Sequence, residues 1–416
     1  VEKPLTATAM AIESNGEQLV MVSCDLVHIS EALTAAIRAE LAGNTVGLDP
    51  MKVVFSAIHT HTAPVFPRSN PHIPNTGSHT FRSLLESELP ADRKYIESAP
   101  ISANPEIATD EEVYDLLLER LTQVVLQAWE RRAPGAYTNA FGRAVVGMCR
   151  RATYSDGSAQ MWGDTNTAMF VGLEGGNDSG IELLYVFDEA KKLTGIVANL
   201  ACPAQCVQHR LFVSPDFWGE VKMLLRKHFG EDIFLLAQCS AAGDQCPVDL
   251  VRWVEPETDV NDPNLKRNNP PKRKADPSMF DLAGMRKAGK RIANEIIDLY
   301  EEGLDEAVSD VPFEHHVHSM QLPLRRVTMS EVAAARKAIR EYLREKEGDV
   351  DYNDVAHMQV YLGILQRFDL QDKLDNITVE QIQGIYSGKI LEWDDLGIEG
   401  IGDTRKRAPL VGSLPE

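Results

Sequence analysis

Two histidines one residue apart stand where a metal or a substrate could be bound. His59 and His61 occur in the segment SAIHTHTAP, directly after an apolar run typical of a buried strand. Side chains two residues apart project to the same side of an extended chain. Neutral imidazole is the commonest metal-binding side chain. The spacing is compatible with one histidine that binds a metal and one that contacts substrate, but by itself it favours two polar loop histidines, and only the other segments raise the first interpretation.

A second group of potential ligands follows another apolar run, in NLACPAQCVQH and SPDFWGE. It contains Cys202, His209 and Asp216. Thiolate, imidazole and carboxylate groups are all competent zinc ligands. Two alternatives stay open, because Cys202 could be a buried thiol and Asp216 could cap the helix that follows it.

The segment QCSAAGDQCP is the third candidate. Its small residues would let backbone amides approach a developing oxyanion. Asp244 could orient a catalytic group there. Cys246 could act as a nucleophile if its pKa were lowered and a base lay beside it. A tight turn containing glycine would explain the same composition.

Arginines and a second histidine group complete the candidates. Arg150 and Arg151, in CRRATYSDG, could donate one guanidinium to a substrate oxygen or could form a solvated positive edge. We interpret the HHxH group as a surface feature on a predicted edge strand, residues 311–322, and it comprises His315, His316 and His318.

The elements that must position these residues alternate between strands and helices. Residues 18–27 and 52–58 are predicted strands separated by a helix at 31–42, and the HTH segment follows the second strand. Further strands are predicted at 137–146, 181–187, 193–200 and 233–236, and helices at 109–132, 216–229, 279–301, 330–346 and 352–368. This order indicates an α/β fold with mixed, buried β-sheet layers flanked by helices and a site where strands end. Residues 65–105 are predicted to form a long surface loop, and residues 253–277 an exposed excursion.

Composition excludes some partners. The 416 residues carry 62 acidic and 42 basic side chains, which gives a formal net charge of -20. This balance argues against nucleic acid, since phosphate binding needs a positive face. No apolar run reaches the roughly 20 residues of a transmembrane helix. The six cysteines lack the spacing of a disulfide framework, and we interpret most of them as buried thiols.

Taken in order, the segments resemble the N-terminal catalytic domain of the neutral/alkaline non-lysosomal ceramidase family, in particular a bacterial branch. The matching pieces are VSCDLV, SAIHTHTAP, CRR with the following Y and DG, NLACPAQ with VSPDFWGE, and LLAQCSAAGDQCP. The resemblance runs over about residues 1–368. It implies a Zn²⁺-dependent hydrolase that cleaves an amide bond with metal-activated water.

Carried over by position, the resemblance makes His59 a zinc ligand and His61 a substrate contact, with Arg150 or Arg151 as the substrate-binding arginine. Three departures affect the metal site. Cys202-Pro203 replaces a His-Pro pair, so Cys202 or His209 would have to complete the ligands. Cys246 replaces a serine. The family's later Glu and Tyr ligands have no counterpart that we find here.

These observations lead to one hypothesis with two rivals. We expect residues 1–370 to form a ceramidase-like α/β catalytic domain that lacks its native N-terminus and is extracytoplasmic, either periplasmic or secreted. Residues 371–416 would form an atypical tail, part of which resembles a phosphate-type periplasmic binding protein. The expected activity is zinc-dependent hydrolysis of an N-acyl amide bond in a lipid-like substrate. The rivals are a degenerate, non-catalytic binding module and a cysteine hydrolase that uses Cys246 with His61 or His209.

Overall fold

The computed structural model describes residues 1–44, 47–64, 79–96, 108–251, 279–309, 311–318 and 325–374. The strands of these residues are β1 (Ala7–Ser14), β2 (Glu17–Cys24), β3 (Val53–Ala57), β4 (Gly135–Arg143), β5 (Met148–Cys149), β6 (Arg151–Tyr154), β7 (Ala159–Met161), β8 (Phe170–Leu173), β9 (Gly180–Asp188), β10 (Leu193–Leu200), β11 (Phe234–Cys239) and β12 (Gln245–Cys246). The helices are α1 (Glu31–Asn44), α2 (His79–Glu86), α3 (Asp110–Glu130), α4 (Phe217–Phe229), α5 (Asp281–Glu302), α6 (Met329–Glu345) and α7 (Tyr352–Leu374). The expected α/β class is confirmed.

The chain divides into two compact units. The first contains Val1–Ile29, Thr34–Val65 and Leu118–His316, and the second contains Ser30–Leu33, Phe66–Leu117 and Val317–Glu416. All twelve strands of the described residues belong to the first unit. The helices α2, α6 and α7 belong to the second. No helix among the described residues has both the length and the apolar character needed to cross a membrane.

The first unit contains two larger sheets of mixed direction. One has the order β1-β2-β3 and the other β11-β10-β9-β4. β2 runs parallel to β3, and β10 runs parallel to β11, while the other neighbours are antiparallel. The Ser23 hydroxyl donates to the Ala237 carbonyl, which links β2 to β11. Parallel pairs place the carboxyl ends of their strands at one edge, where the chain can present polar loops.

A large apolar core covers the second of these sheets. Residues of β9 and β10 pack with the apolar faces of α4 and α5, and the buried members include Tyr185, Ile196, Leu200, Trp218, Val221, Ile292 and Ile296. The Tyr185 hydroxyl reaches the Ile296 carbonyl in α5 at 2.6 Å, so the phenol of this buried tyrosine keeps a partner. The near-continuous apolar runs of the sequence predicted these buried strands because both of their faces are covered.

The second unit is helical where it is described. Its core joins α2, α6 and α7 through Phe81, Leu85, Val332, Ile339, Leu343, Val355, Leu362 and Leu365. Thr328 and Glu331 form a capping box at the start of α6. Glu88 is buried and accepts from both Arg336 and Arg340, the second at 2.6 Å.

Two predictions about local structure are wrong. The proposed loop at 65–105 contains the helix α2. This helix packs against α7, but it is short and polar, so its sequence does not indicate that it is buried. Residues 311–318 form no strand, although they alternate in exposure. Of their histidines, His316 and His318 are exposed and His315 is half-buried; the His316 side chain is 62% exposed and pairs with Glu314. The excursion at 253–277 and the tail beyond residue 374 lie outside the described residues.

Candidate functional site

Four of the sequence segments meet where strands of the first unit end. The HTH segment follows β3, and backbone hydrogen bonds tie it to the segment after β10: Ala204 N–H donates to Ile58 O at 3.4 Å, and His61 N–H donates to Ala204 O at 3.3 Å. Arg150 follows β5 and its N–H donates to Asp244 O, beyond β11, at 2.7 Å. A side chain at Gly147 would collide with the Ala201 carbonyl, so glycine permits this close approach.

His59 has a defined ring orientation. Its backbone adopts a φ of 63°, in the left-handed region that few non-glycine residues occupy. Its Nδ1 lies 2.6 Å from the Val27 carbonyl oxygen. A carbonyl can only accept, so Nδ1 carries the hydrogen and Nε2 of the neutral ring carries the lone pair. A backbone carbonyl on one nitrogen is the usual support for an imidazole that binds a metal through the other.

A chain of polar contacts leads from His61 to the loop after β11. The Nε2 of His61 lies 2.8 Å from the amide nitrogen of Gln205. The amide oxygen of Gln205 accepts from Nη1 of Arg150 at 3.0 Å. Arg150 also donates to the Gly243 carbonyl from Nε at 3.2 Å and from Nη2 at 2.8 Å. The rings of His59 and His61 are 4.9 Å apart. We refer to His59, His61, Gln205 and Arg150 as the polar cluster.

The polar cluster leaves capacity for a ligand. His59, His61 and Arg150 are each half-buried. A guanidinium has five N–H donors, and the bonds described use three of those in Arg150. Trp162 lies beside this arginine, with its ring centre 5.8 Å from the guanidinium carbon. The arrangement can hold an electron-rich oxygen, because a fixed cationic donor stabilises developing negative charge.

The two adjacent arginines do different things. Arg150 belongs to the polar cluster, whereas Arg151 pairs with Glu174 through two N–H donors. The Arg151 and Glu174 side chains are 33% and 47% exposed. Arg151 therefore forms the solvated edge that was the alternative reading of the pair. Asp244 is half-buried, and its backbone carbonyl, not its carboxylate, is what accepts from Arg150.

The candidate thiols are buried and protonated. Cys202 is fully buried, its Sγ faces the Pro203 carbonyl at 3.5 Å, and burial raises the pKa of its thiol well above the ordinary value. Cys246 is equally buried, and burial raises the pKa of its thiol to about 12. Its Sγ donates to the Val248 carbonyl at 3.2 Å. Neither group has the lowered pKa that a thiolate nucleophile needs.

His209 belongs to another cluster. It is buried, stacks on Phe280 with ring centres 4.7 Å apart, and places Nε2 3.4 Å from Asp281 Oδ1. Arg210 donates to both carboxylate oxygens of Asp281 at 2.7 and 2.6 Å. We call His209, Arg210 and Asp281 the ion-pair cluster. Burial alone raises the pKa of the Asp281 carboxyl, but His209 and Arg210 outweigh it and hold that pKa well below its usual range.

Asp216 caps a helix, as one of its two interpretations predicted. Its carboxylate accepts from Phe217 N–H at 2.7 Å, at the start of α4, and from Val207 N–H at 2.9 Å. The side chain is completely buried, and this burial raises its pKa to about 6.

The described residues do not make a complete zinc site. No three or more His, Cys, Asp or Glu side chains converge on a possible metal position within them. Of the three expected ligands, His59 presents a suitable nitrogen, Cys202 is a protonated thiol and His209 faces Asp281. Structural zinc takes four protein ligands and catalytic zinc three.

Sequence reasoning missed Gln205 and Asp281. Gln205 is 2% exposed and lies within an unbroken run of buried residues, 201–207. A glutamine in such an apolar stretch must find partners, which is a signal that the sequence did contain. Asp281 gave no local signal, because its partners lie 71 and 72 positions earlier in the chain.

Comparisons with known proteins add a partial likeness. No protein-family model and no curated protein matches the chain. The neutral ceramidase from Pseudomonas aeruginosa aligns with a TM-score of 0.46 and 17% identity, over 71% of this chain and 38% of that one. A ceramidase complexed with C2 aligns with a TM-score of 0.48 and 16% identity, over 73% and 39%. This chain thus spans less than two fifths of either structure, and likeness at this level assigns it no activity.

Proposed function

We propose that this chain is a hydrolase-type domain that cleaves an amide (N-acyl) bond of a lipid-like substrate, with the polar cluster as its site. The observation that carries the proposal is the convergence of His59, His61 and Arg150 through Gln205. These residues come from three separate segments of the chain. The resemblance of those segments to ceramidases supports the choice of substrate class.

The chemistry of the polar cluster fits an acyl group. Arg150 is held by Gly243 and Gln205, and its remaining N–H donors would bind a carbonyl oxygen and the oxyanion that forms from it. His59 would contribute the lone pair of Nε2. A zinc ion at His59 belongs to the proposal only with further ligands from residues outside the described ranges, so we derive no catalytic step through a metal. An extracytoplasmic location is likewise proposed on the resemblance alone.

A second candidate is a non-catalytic module that binds the same class of ligand. The fully buried, protonated Cys202 favours it, because this cysteine occupies the position of the ceramidase family's His-Pro histidine. Such a module would keep the donors of Arg150 and lack a reactive centre.

The test is metal content and turnover measured on the full chain. Purified protein, before and after incubation with zinc, is examined by elemental analysis and offered a fluorescent N-acyl amide. We expect one zinc per chain and hydrolysis, both lost in His59→Ala and retained in His316→Ala, which removes an exposed histidine elsewhere. Zinc retained by His59→Ala would contradict the assignment. Ligand binding without metal or turnover would support the second candidate, and absence of binding would overturn both.

A further inference from the structure

Gln205 occupies the centre of the polar cluster and has no solvent to satisfy its amide. Its side chain is buried, with the oxygen 3.0 Å from Arg150 Nη1 and the nitrogen 2.8 Å from His61 Nε2. A buried amide of this kind is held by its partners, since an unmade hydrogen bond there costs about 1–3 kcal/mol.

The orientation of the amide follows from Arg150. A guanidinium donates and never accepts, so only the amide oxygen of Gln205 can face it. Arg150 is itself fixed by two donors on the Gly243 carbonyl and by its backbone bond to Asp244. The NH₂ group of Gln205 is thereby directed at His61.

We infer that Gln205 is a positioning residue that fixes the tautomer of His61. An NH₂ group donates, so the Nε2 of His61 must accept and carries the lone pair. The hydrogen of the neutral ring is then on Nδ1. The opposite tautomer would place an N–H against an N–H at 2.8 Å. Arg150, on the other end of the amide, and the His59 ring are charged or titratable groups that contact this pair.

This inference separates the roles of the two histidines, and that consequence rests on the proposed function. Both rings carry their hydrogen on Nδ1, but for different reasons: Val27 accepts it in His59, and Gln205 forces it in His61. The Nε2 of His59 remains able to bind a metal or accept a proton. The Nε2 of His61 is already occupied by Gln205, so its lone pair is not available to a metal or to a substrate proton.

The experiment reads the tautomer directly. Long-range ¹H–¹⁵N correlation spectra of the full chain, labelled at histidine nitrogens, show which ring nitrogen carries a proton. They are recorded at about pH 8, above the ordinary pKa of histidine, and the His61 signals are assigned by their loss in His61→Asn. Gln205→Glu keeps the shape and the acceptor for Arg150 but replaces the donor facing His61 by an oxygen. Gln160→Glu, on exposed β7, is the control for the added charge.

We expect Nε2 of His61 to lack a proton in the unchanged chain and in Gln160→Glu, and to gain one in Gln205→Glu. A proton on Nε2 in the unchanged chain would overturn the inference whether or not the variant folds. An unprotonated Nε2 in a folded Gln205→Glu variant would also overturn it. The measurement needs no substrate and no metal. The tautomer inference can therefore be wrong while the proposed hydrolase activity is correct, and it can be correct while that activity is absent.

Discussion

The loop after β10 supplies side chains to two clusters that are built from similar residues and behave differently. In the polar cluster, Gln205 joins a histidine to an arginine. In the ion-pair cluster, Asp281 does so. The amide is neutral and offers one acceptor and one donor side, so Arg150 keeps N–H donors for a ligand. The carboxylate engages Arg210 at both oxygens and also faces His209.

Burial accompanies this difference. The Arg210 side chain is 7% exposed and that of Asp281 16%, whereas Arg150 and His61 are half-buried. A buried charge must be paired because its desolvation is expensive. The comparison teaches that a His and an Arg near one another do not by themselves mark a site: the group that joins them decides whether they can still bind something.

The largest expected effect is on stability, from removing the charge of Asp281. Asp281→Asn tolerates the local φ of 57° but removes the carboxylate that pairs with the buried Arg210. We expect a loss of about 3–5 kcal/mol in the free energy of unfolding, measured with urea and tryptophan fluorescence. Glu174→Gln, which weakens the exposed pair with Arg151, is the control and should cost less than about 1 kcal/mol. Equal losses would remove the distinction between buried and exposed pairs.

Asp216 is a buried carboxyl with no ion pair among the described residues, and its contribution to stability should change with pH in the opposite direction to that of Asp281. The pKa of Asp216 is raised by burial from 3.8 to about 6. Its stabilising contribution is therefore complete below its unfolded value and is lost as pH rises to about 6, a change of about 3 kcal/mol. The lowered pKa of Asp281 acts in reverse, so its contribution is lost only as pH falls below the ordinary carboxyl range.

The pH prediction is checked by urea unfolding of the unchanged chain and of Asp216→Asn and Asp281→Asn across this range. Asp216→Asn should lack the decline between about pH 4 and pH 6 that burial of the carboxyl produces. A decline that persists in this variant would show that other groups cause it.

Ligand binding should distinguish the two arginines. Arg150→Met removes the fixed donor of the polar cluster, and we expect the affinity for an N-acyl amide to fall about 30-fold, or about 2 kcal/mol. Arg151→Met removes a similar charge one residue away and should stay within about twofold, because that guanidinium pairs with Glu174 at the surface. Titration calorimetry with both variants measures this, and equal losses would place the ligand elsewhere.

The smallest effect is expected at Cys246. Its thiol is buried with a pKa of about 12, so iodoacetamide should leave it unlabelled in the folded chain and label it after unfolding in urea. Cys246→Ala should preserve turnover of an N-acyl amide and cost about 1 kcal/mol of stability. Loss of turnover in a stable Cys246→Ala variant would instead support the hypothesis of a cysteine hydrolase that uses Cys246.

Local pattern was sufficient for most of the fold. The apolar runs predicted β2, β3, β9 and β10 within a few residues. The helix predicted at 109–132 is α3, and Thr109 and Glu112 form a capping box at its start. The predictions that fail are a loop at the residues of α2, which form a helix, and a strand at residues 311–318, which form none. Alternation alone does not supply a neighbouring strand with which to form hydrogen bonds.

The sequence by itself determined the chemical types available and the strand ends that present them. His59, His61 and Arg150 were recognisable from residue type and from the apolar runs before them. A strand that is buried on both faces has a continuous apolar sequence, which is a local pattern. Only the tertiary structure decided which of these groups meet. Cys202 and His209 were candidate metal ligands by residue type. In the structure, burial keeps the Cys202 thiol protonated, and His209 faces Asp281. The protonation state and the hydrogen-bond partners of a side chain depend on residues that are distant in the sequence, so the local sequence does not determine them.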